Sequence, residues 1–223
     1  GGGPGSGPVV LSKALAPYGP IPYSARYADG SFKLVEEESA GAEHPDTFGR
    51  MTAFHGQMGM FTRALAYILS HGADGLRQVA EDAVLNANYV LRSLDDVLDA
   101  PFGASGPCMH EALFSDKGLA EGFTTLDIAK GLIYEGFHPM TMYFPLVVHG
   151  ALLIEPTETE SKQELDRFIA ALRALAGAAK AGETERFKGA PFHAPLRRLD
   201  ETQAARKPRL RWKPVAAAPL AAE

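Results

Sequence analysis

The stretch DGLRQVAEDAVLNANYVLRSLDDVL, residues 74–98, constrains this chain most. It places Leu76, Val79, Ala80, Ala83, Val84, Ala87, Val90, Leu91 and Leu94 at three- and four-residue intervals. That period makes a helix with one apolar face, and the rest of the fold must cover that face. Asp74 stands near its start, where a carboxylate can cap free N–H groups or complement the helix dipole. Upstream, TFGRMTAFHGQMGMFTRALAYILSHG repeats the period through Met51, Phe54, Met58, Phe61, Leu65 and Ile68/Leu69. It predicts a second helix from Thr47 that ends at Gly72. Gly56 and Gly59 fall inside it, each costing about 1 kcal/mol relative to alanine, so they point to close backbone packing or to a break.

Downstream the pattern shortens. CMHEALFS, Cys108 to Ser115, reads as a strand after a Gly/Pro loop. TTLDIAKGLIYEGFHP reads as a helix with Thr124 and Asp127 spaced as a capping box, a stop at Gly136 and Pro139 beyond it. Two apolar runs follow, Tyr143 to Val148 and Ala151 to Ile154. Ser161 and Glu164 form a second capping box, and Leu165, Phe168, Ile169, Leu172, Leu175 and Ala179 carry the helix after it. Ahead of the long helices, Val9–Leu11 is a β-type run, Pro17, Pro20 and Pro22 mark an extended connector, and Asp29-Gly30 is a turn leading into Phe32–Val35. The order is extended arm, two helices, then strand–helix–strand–helix: an α/β class, with a small sheet and helices packed on it. The expected partition is a glycine loop and arm over 1–46, helices and a small α/β domain over 47–196, a basic arm over 197–213, and a disordered tail over 214–223.

Several functions are disfavoured. A net charge of −5 gives no general pull toward nucleic acid. One cysteine, Cys108, excludes an intrachain disulfide. No apolar run reaches the roughly 18 residues that span a bilayer, and no charged-then-apolar leader opens the chain, so no membrane role is expected. His110-Glu111 begins like the zinc motif H-E-x-x-H, but Phe114 stands where its second histidine belongs. The other histidines show no i, i+4 pairing, so no metal site is expected. The opening GGGPGSGP matches neither glycine-rich phosphate motif. It is either a flexible linker or a tight loop where backbone approaches something closely. Cys108 reads as a buried, inert thiol. EPTETE, Glu155 to Glu160, is explained by helix capping or by a strand end and helix start facing a ligand. Residues 197–213 hold seven cationic residues against two carboxylates, a net of +5, leaving −10 for the remainder. Such an arm can fold back on its own body or contact an acidic partner or RNA.

GGGPGSGP, FHGQMGMFTRALAYILSHGADGLRQVAEDAVLNANY, PCMHEALF, TTLDIAKGLIYEGFHPMTMYFPLVVHGALLIEPTETESK and RRLDETQAARKPRLRW together resemble the C-terminal part of glycine dehydrogenase (decarboxylating), the P-protein family of the glycine cleavage system, and within it the second subunit of the two-subunit bacterial form. The resemblance runs through residues 1–213. It implies the aspartate-aminotransferase fold (fold type I) and a pyridoxal 5′-phosphate cofactor that serves as electron sink while CO2 leaves glycine and the aminomethyl group passes to the lipoyl arm of H-protein. In this family the glycine run closely follows the cofactor lysine in a His-Lys context. None of the nine lysines here has that context, so the resemblance places that lysine upstream of Gly1 and makes the glycine run active-site backbone, with Gly2, Gly3 and Ser6 beside the cofactor. His110, Glu111, Glu155 and Thr157 match recurring family motifs and become candidates for the rim of the site, without assigned chemistry. The implied partners are glycine dehydrogenase subunit 1, lipoylated H-protein and the N-terminal part of subunit 2, in the cytoplasm. The isolated chain is expected to be inactive. The competing expectation is a non-catalytic binding or assembly module of the same complex.

Overall fold

The computed structural model describes residues 5–37 and 46–212. The chain divides into two compact units, with the boundary between Arg77 and Gln78.

In the first unit, β1 (Tyr23–Arg26) and β2 (Phe32–Val35) form an antiparallel hairpin that pairs Tyr23 with Val35 and Arg26 with Phe32. The Asp29 carboxylate accepts from the Ser31 N–H at 2.9 Å and the Ser31 hydroxyl at 2.7 Å, which fixes the turn and lowers the carboxyl pKa. Ile21 and Val35 are the buried pair beneath it. Glu36 joins Arg50 and, at 3.0 Å, His55; the His55 hydrogen bond and then the Arg50 one hold its carboxyl below the usual range. Val9–Leu11 forms no strand, contrary to expectation; Val9 and Val10 are 82% and 92% exposed. A β-type tripeptide needs a partner strand, and β1 and β2 pair with each other.

Helix α1 spans Met58–Leu94 and crosses the unit boundary. It starts eleven residues later than the periodicity predicts, because Gly56 sits at φ 111°, outside the helical region. The expected stop at Gly72 is a kink: φ 64°, ψ −173° breaks the helix, which resumes immediately. Met58, Leu65, Ile68 and Leu69 on the first segment are exposed, whereas Ala87, Val90, Leu91 and Leu94 on the second are buried.

The second unit is built on a three-stranded antiparallel sheet of order β3-β5-β4, from β3 (Ala112–Ser115), β4 (Thr141–Met142) and β5 (Ala151–Ile154). Helices α2 (Thr125–Tyr134) and α3 (Lys162–Lys180) pack with it, followed by the short α4 (Thr184–Lys188) and α5 (Glu201–Arg206). The core joins Val90, Leu91 and Leu94 to Phe114, Ile128, Leu132, Leu152, Leu172, Leu175 and Phe187. Each such side chain contributes about 1.5–3 kcal/mol on burial.

Both expected helix starts are present. Thr124 and Asp127 make the reciprocal capping box, and the Ser161 hydroxyl accepts from the Glu164 N–H at 3.2 Å. After α2 the Phe137 N–H reaches the Leu132 carbonyl and the Gly136 N–H the Ile133 carbonyl, the paired bonds of a Schellman stop. Of the two apolar runs read between the helices, Ala151–Ile154 is strand β5 and Tyr143–Val148 is not a strand. Tyr143 adopts φ 62°, which turns the chain out of the ladder after Met142, and Pro145 has no N–H to donate. Leu146 and Val147 are accordingly exposed. The strand read over 108–115 is confined to its last four residues. In the chain after Gly182, expected to be irregular, α4 and α5 are helical.

Candidate functional site

The sheet register brings the sequence motifs together. Ala112 pairs with Ile154 and Thr141 with Leu153, all antiparallel. The segment before β3, the segment after β5 and the segment before β4 therefore emerge at one end of the sheet. These are 108–111 with His110 and Glu111, 155–160 with Glu155 and Thr157, and 137–140 with His138. None of the three is held by a strand ladder.

Two cavities open at this end. One, of about 230 Å³, is lined by Phe137, His138, Met140, Glu155, Pro156 and Phe168. The other, of about 210 Å³, is lined by Phe102, Pro107, Cys108, Glu111 and Leu113. Glu155 and His110 are exposed, Glu111 and Thr157 are half-buried, and Pro156 is buried. Glu160 and Glu164 add carboxylates to the first cavity, Glu164 paired with Arg167 at 2.9 Å. The first cavity combines apolar side chains with the His138 imidazole and three carboxylates, and the second adds Glu111, chemistry that suits proton exchange and recognition of an amine. Cys108, read from the sequence as buried, is half-buried; what burial it has pushes its thiol up, which disfavours the thiolate.

The second unit also contains side chains that grip these segments. Asn86 Nδ2 donates to the Thr157 carbonyl at 3.0 Å and the Glu160 carbonyl at 3.5 Å. Asn88 accepts from the Cys108 N–H at 2.9 Å and donates to the Cys108 carbonyl at 2.7 Å. Sequence reasoning did not single out either asparagine. Ser6, in the first unit, is exposed and outside any helix or strand. Gly2 and Gly3 lie outside the described residues.

Residues 79–195, just over half of the chain, match the family model described as glycine dehydrogenase, C-terminal domain. The chain belongs to the glycine dehydrogenase C-terminal domain family. Two curated relatives carry the name probable glycine dehydrogenase (decarboxylating) subunit 2. That of Caulobacter vibrioides is 76% identical over 225 residues, covering 100% of this chain and 42% of the relative. That of Shouchella clausii is 46% identical over 214 residues, covering 96% of this chain and 42% of the relative. The chain thus spans less than half the length of these curated relatives. Among solved structures, an inhibitor-bound glycine decarboxylase (P-protein) of the glycine cleavage system matches with a TM-score of 0.53 at 19% identity, over 73% of this chain and 37% of that one. The match places this chain in that α/β fold.

Members of a glycine dehydrogenase family need an amine to hold an aldehyde cofactor, and such an amine sits in a pocket shielded from water. Seven of the eight described lysines are exposed and Lys130 is half-buried. Neither cavity at the sheet end is lined by a lysine. The described residues therefore do not fit that cofactor on their own, and no step of its chemistry is assigned to them. Among the described residues no three His, Cys, Asp or Glu side chains converge as a metal-ligand set, and no helix is long and apolar enough to cross a membrane.

Proposed function

We propose that this chain is the scaffold and active-site rim of a glycine-decarboxylating enzyme of the glycine cleavage type. The observation that carries it is the convergence of the two family motifs, His110-Glu111 and the Glu155–Thr157 turn, on one sheet end through the Ala112–Ile154 pairing. In this reading His110, Glu111, Glu155 and Thr157 face substrate, and the loop with Gly2, Gly3 and Ser6 runs beside the cofactor. Pyridoxal 5′-phosphate, which supplies an electron sink for decarboxylation when bound, is held by a lysine outside these 223 residues, in the N-terminal part of subunit 2. The further partners are subunit 1 and lipoylated H-protein, in the cytoplasm. Helices and the small α/β domain together occupy 47–196 and the basic arm 197–213. The arm is moored by Arg198, while Arg206, Arg209 and Arg211 are exposed for an acidic partner surface.

The test mixes the chain with the N-terminal part of subunit 2, subunit 1, cofactor and H-protein. Borohydride reduction followed by peptide mapping locates the cofactor amine, and glycine–bicarbonate exchange reports activity. The expected result is exchange only in the full mixture, with the reduced adduct on a lysine of the added part. A stable adduct on any of the nine lysines of this chain overturns the proposal. Complex formation without exchange would instead identify an assembly module.

A further inference from the structure

The two asparagines of α1 are the only side chains described above that reach both rim segments from one element. Each is half-buried, and the residue between them, Ala87, is fully buried. The Asn88 carboxamide behaves as a peptide partner. Its Oδ1 takes the Cys108 N–H and its Nδ2 gives to the Cys108 carbonyl, while Nδ2 also reaches the Val84 carbonyl at 2.8 Å. The Asn86 amide closes on two carbonyls of the 155–160 turn. Segments 108–111 and 155–160 have no ladder of their own, so side-chain bonds must satisfy and locate their backbone.

We infer that Asn86 and Asn88 are positioning residues that hold the 155–160 and 108–111 segments on one helix and thereby set where His110, Glu111, Glu155 and Thr157 stand for the substrate. The inference rests on the rim reading proposed above. Asparagine is suited to the role because one planar group both donates and accepts. Aspartate keeps the shape and the acceptor. At position 88, however, it turns an oxygen toward two carbonyls that need a donor.

The experiment compares Asn86→Ala, Asn88→Ala and Asn88→Asp with the unsubstituted protein. Hydrogen exchange by mass spectrometry and iodoacetamide alkylation of Cys108 are measured on the full chain, and glycine–bicarbonate exchange on the mixture with its partners. N88A is expected to speed amide exchange across 107–112 about tenfold and to speed Cys108 alkylation, while 157–161 stays unchanged. N86A is expected to give the converse pattern. N88D should lose part of the protection of the Cys108 amide, because the acceptor stays and the donors go, whereas a space-filling role, which the isosteric aspartate meets equally, would leave protection as in the unsubstituted protein. In the assembled enzyme both alanine variants should lower kcat about tenfold with KM for glycine within about twofold, as for an interaction that matters in the transition state. Unchanged exchange over 107–112 in N88A overturns the inference, as does uniform acceleration over the whole chain. If H110A and E111Q leave kcat at the unsubstituted level while N88A alters exchange as expected, the rim reading fails and the asparagines fix local backbone only, which overturns their link to the substrate.

Discussion

Asp127 is buried, yet it serves two parts of the chain at once. Its Oδ2 accepts from the Thr124 N–H at 2.9 Å and the Thr124 hydroxyl at 3.0 Å, and its Oδ1 accepts from Arg198 at 2.7 Å. Arg198 also donates to the Phe187 carbonyl at 2.9 Å and is one-third exposed. Replacing Asp127 by alanine removes the bonds it accepts from the N-cap residue Thr124, about 1 kcal/mol. It also removes a charge-assisted bond, for about 1–2 kcal/mol more. The penalty stays well below that of a fully buried broken pair, because the freed guanidinium can turn to water. D127A is therefore expected to cost about 2–3 kcal/mol. Arg198→Ala leaves the carboxylate buried but still bonded to Thr124, at a cost of about 1–2 kcal/mol. Because both substitutions break the same bond, the double variant should fall short of the sum by about 1 kcal/mol. Urea unfolding followed by far-ultraviolet circular dichroism, with the slope held common to the four proteins, measures all three values. A coupling below about 0.3 kcal/mol would show that the arm is not moored through Asp127.

Gly150 adopts φ 59°, and a Cβ there would lie 1.9 Å from Asp116 Oδ1. Gly150→Ala should cost about 2–3 kcal/mol from left-handed backbone and overlap, read as a fall in the thermal midpoint; an unchanged midpoint would mean the turn can repack. The carboxyls of Asp96 and Asp166 sit below their ordinary value of 3.8, held there by Arg173 in one case and by Lys162 and then Tyr89 in the other. A depressed folded pKa gives stability that is complete above the unfolded value and lost as pH falls through the folded one. Urea midpoints should therefore decline below about pH 4, and Asp96→Asn should flatten that decline; equal slopes would refute its share. Partial burial raises the Cys108 thiol, so iodoacetamide at pH 8 should modify it more slowly than a free thiol, and a matching rate would contradict that shielding.

Local chemistry was legible where neighbouring residues alone decide the outcome. Thr124–Asp127 and Ser161–Glu164 announce helix starts because the bonds run three residues along the chain, and Asp29-Gly30 announces its turn in the same way. The second half of α1 was legible because its apolar period matches the face that the core buries. Apolar content alone could not say which of the runs Tyr143–Val148 and Ala151–Ile154 is the strand, because it cannot reveal a left-handed residue at 143. Thr47–Gln57 misled because glycine tolerates both helical and non-helical angles, so its φ is decided by packing. Within the site, the motif residues could be picked out from the resemblance, but their convergence depends on antiparallel register, which no local spacing encodes. Asn86 and Asn88 did leave a trace: two mediocre helix formers two residues apart in an otherwise apolar run. Their partners lie 71 and 20 residues away, beyond any periodicity argument.

The short strands of the second unit decide how this molecule can stick to others. Its central strand is flanked on both sides; β4 exposes a margin of only two residues, and Asp99 bridges to Ser115 at the far margin. Little unsatisfied backbone is left on this sheet to template a growing fibril. Phe54, Met58, Leu65 and Leu69, all exposed, offer side-chain contact, which saturates once the apolar surface is covered.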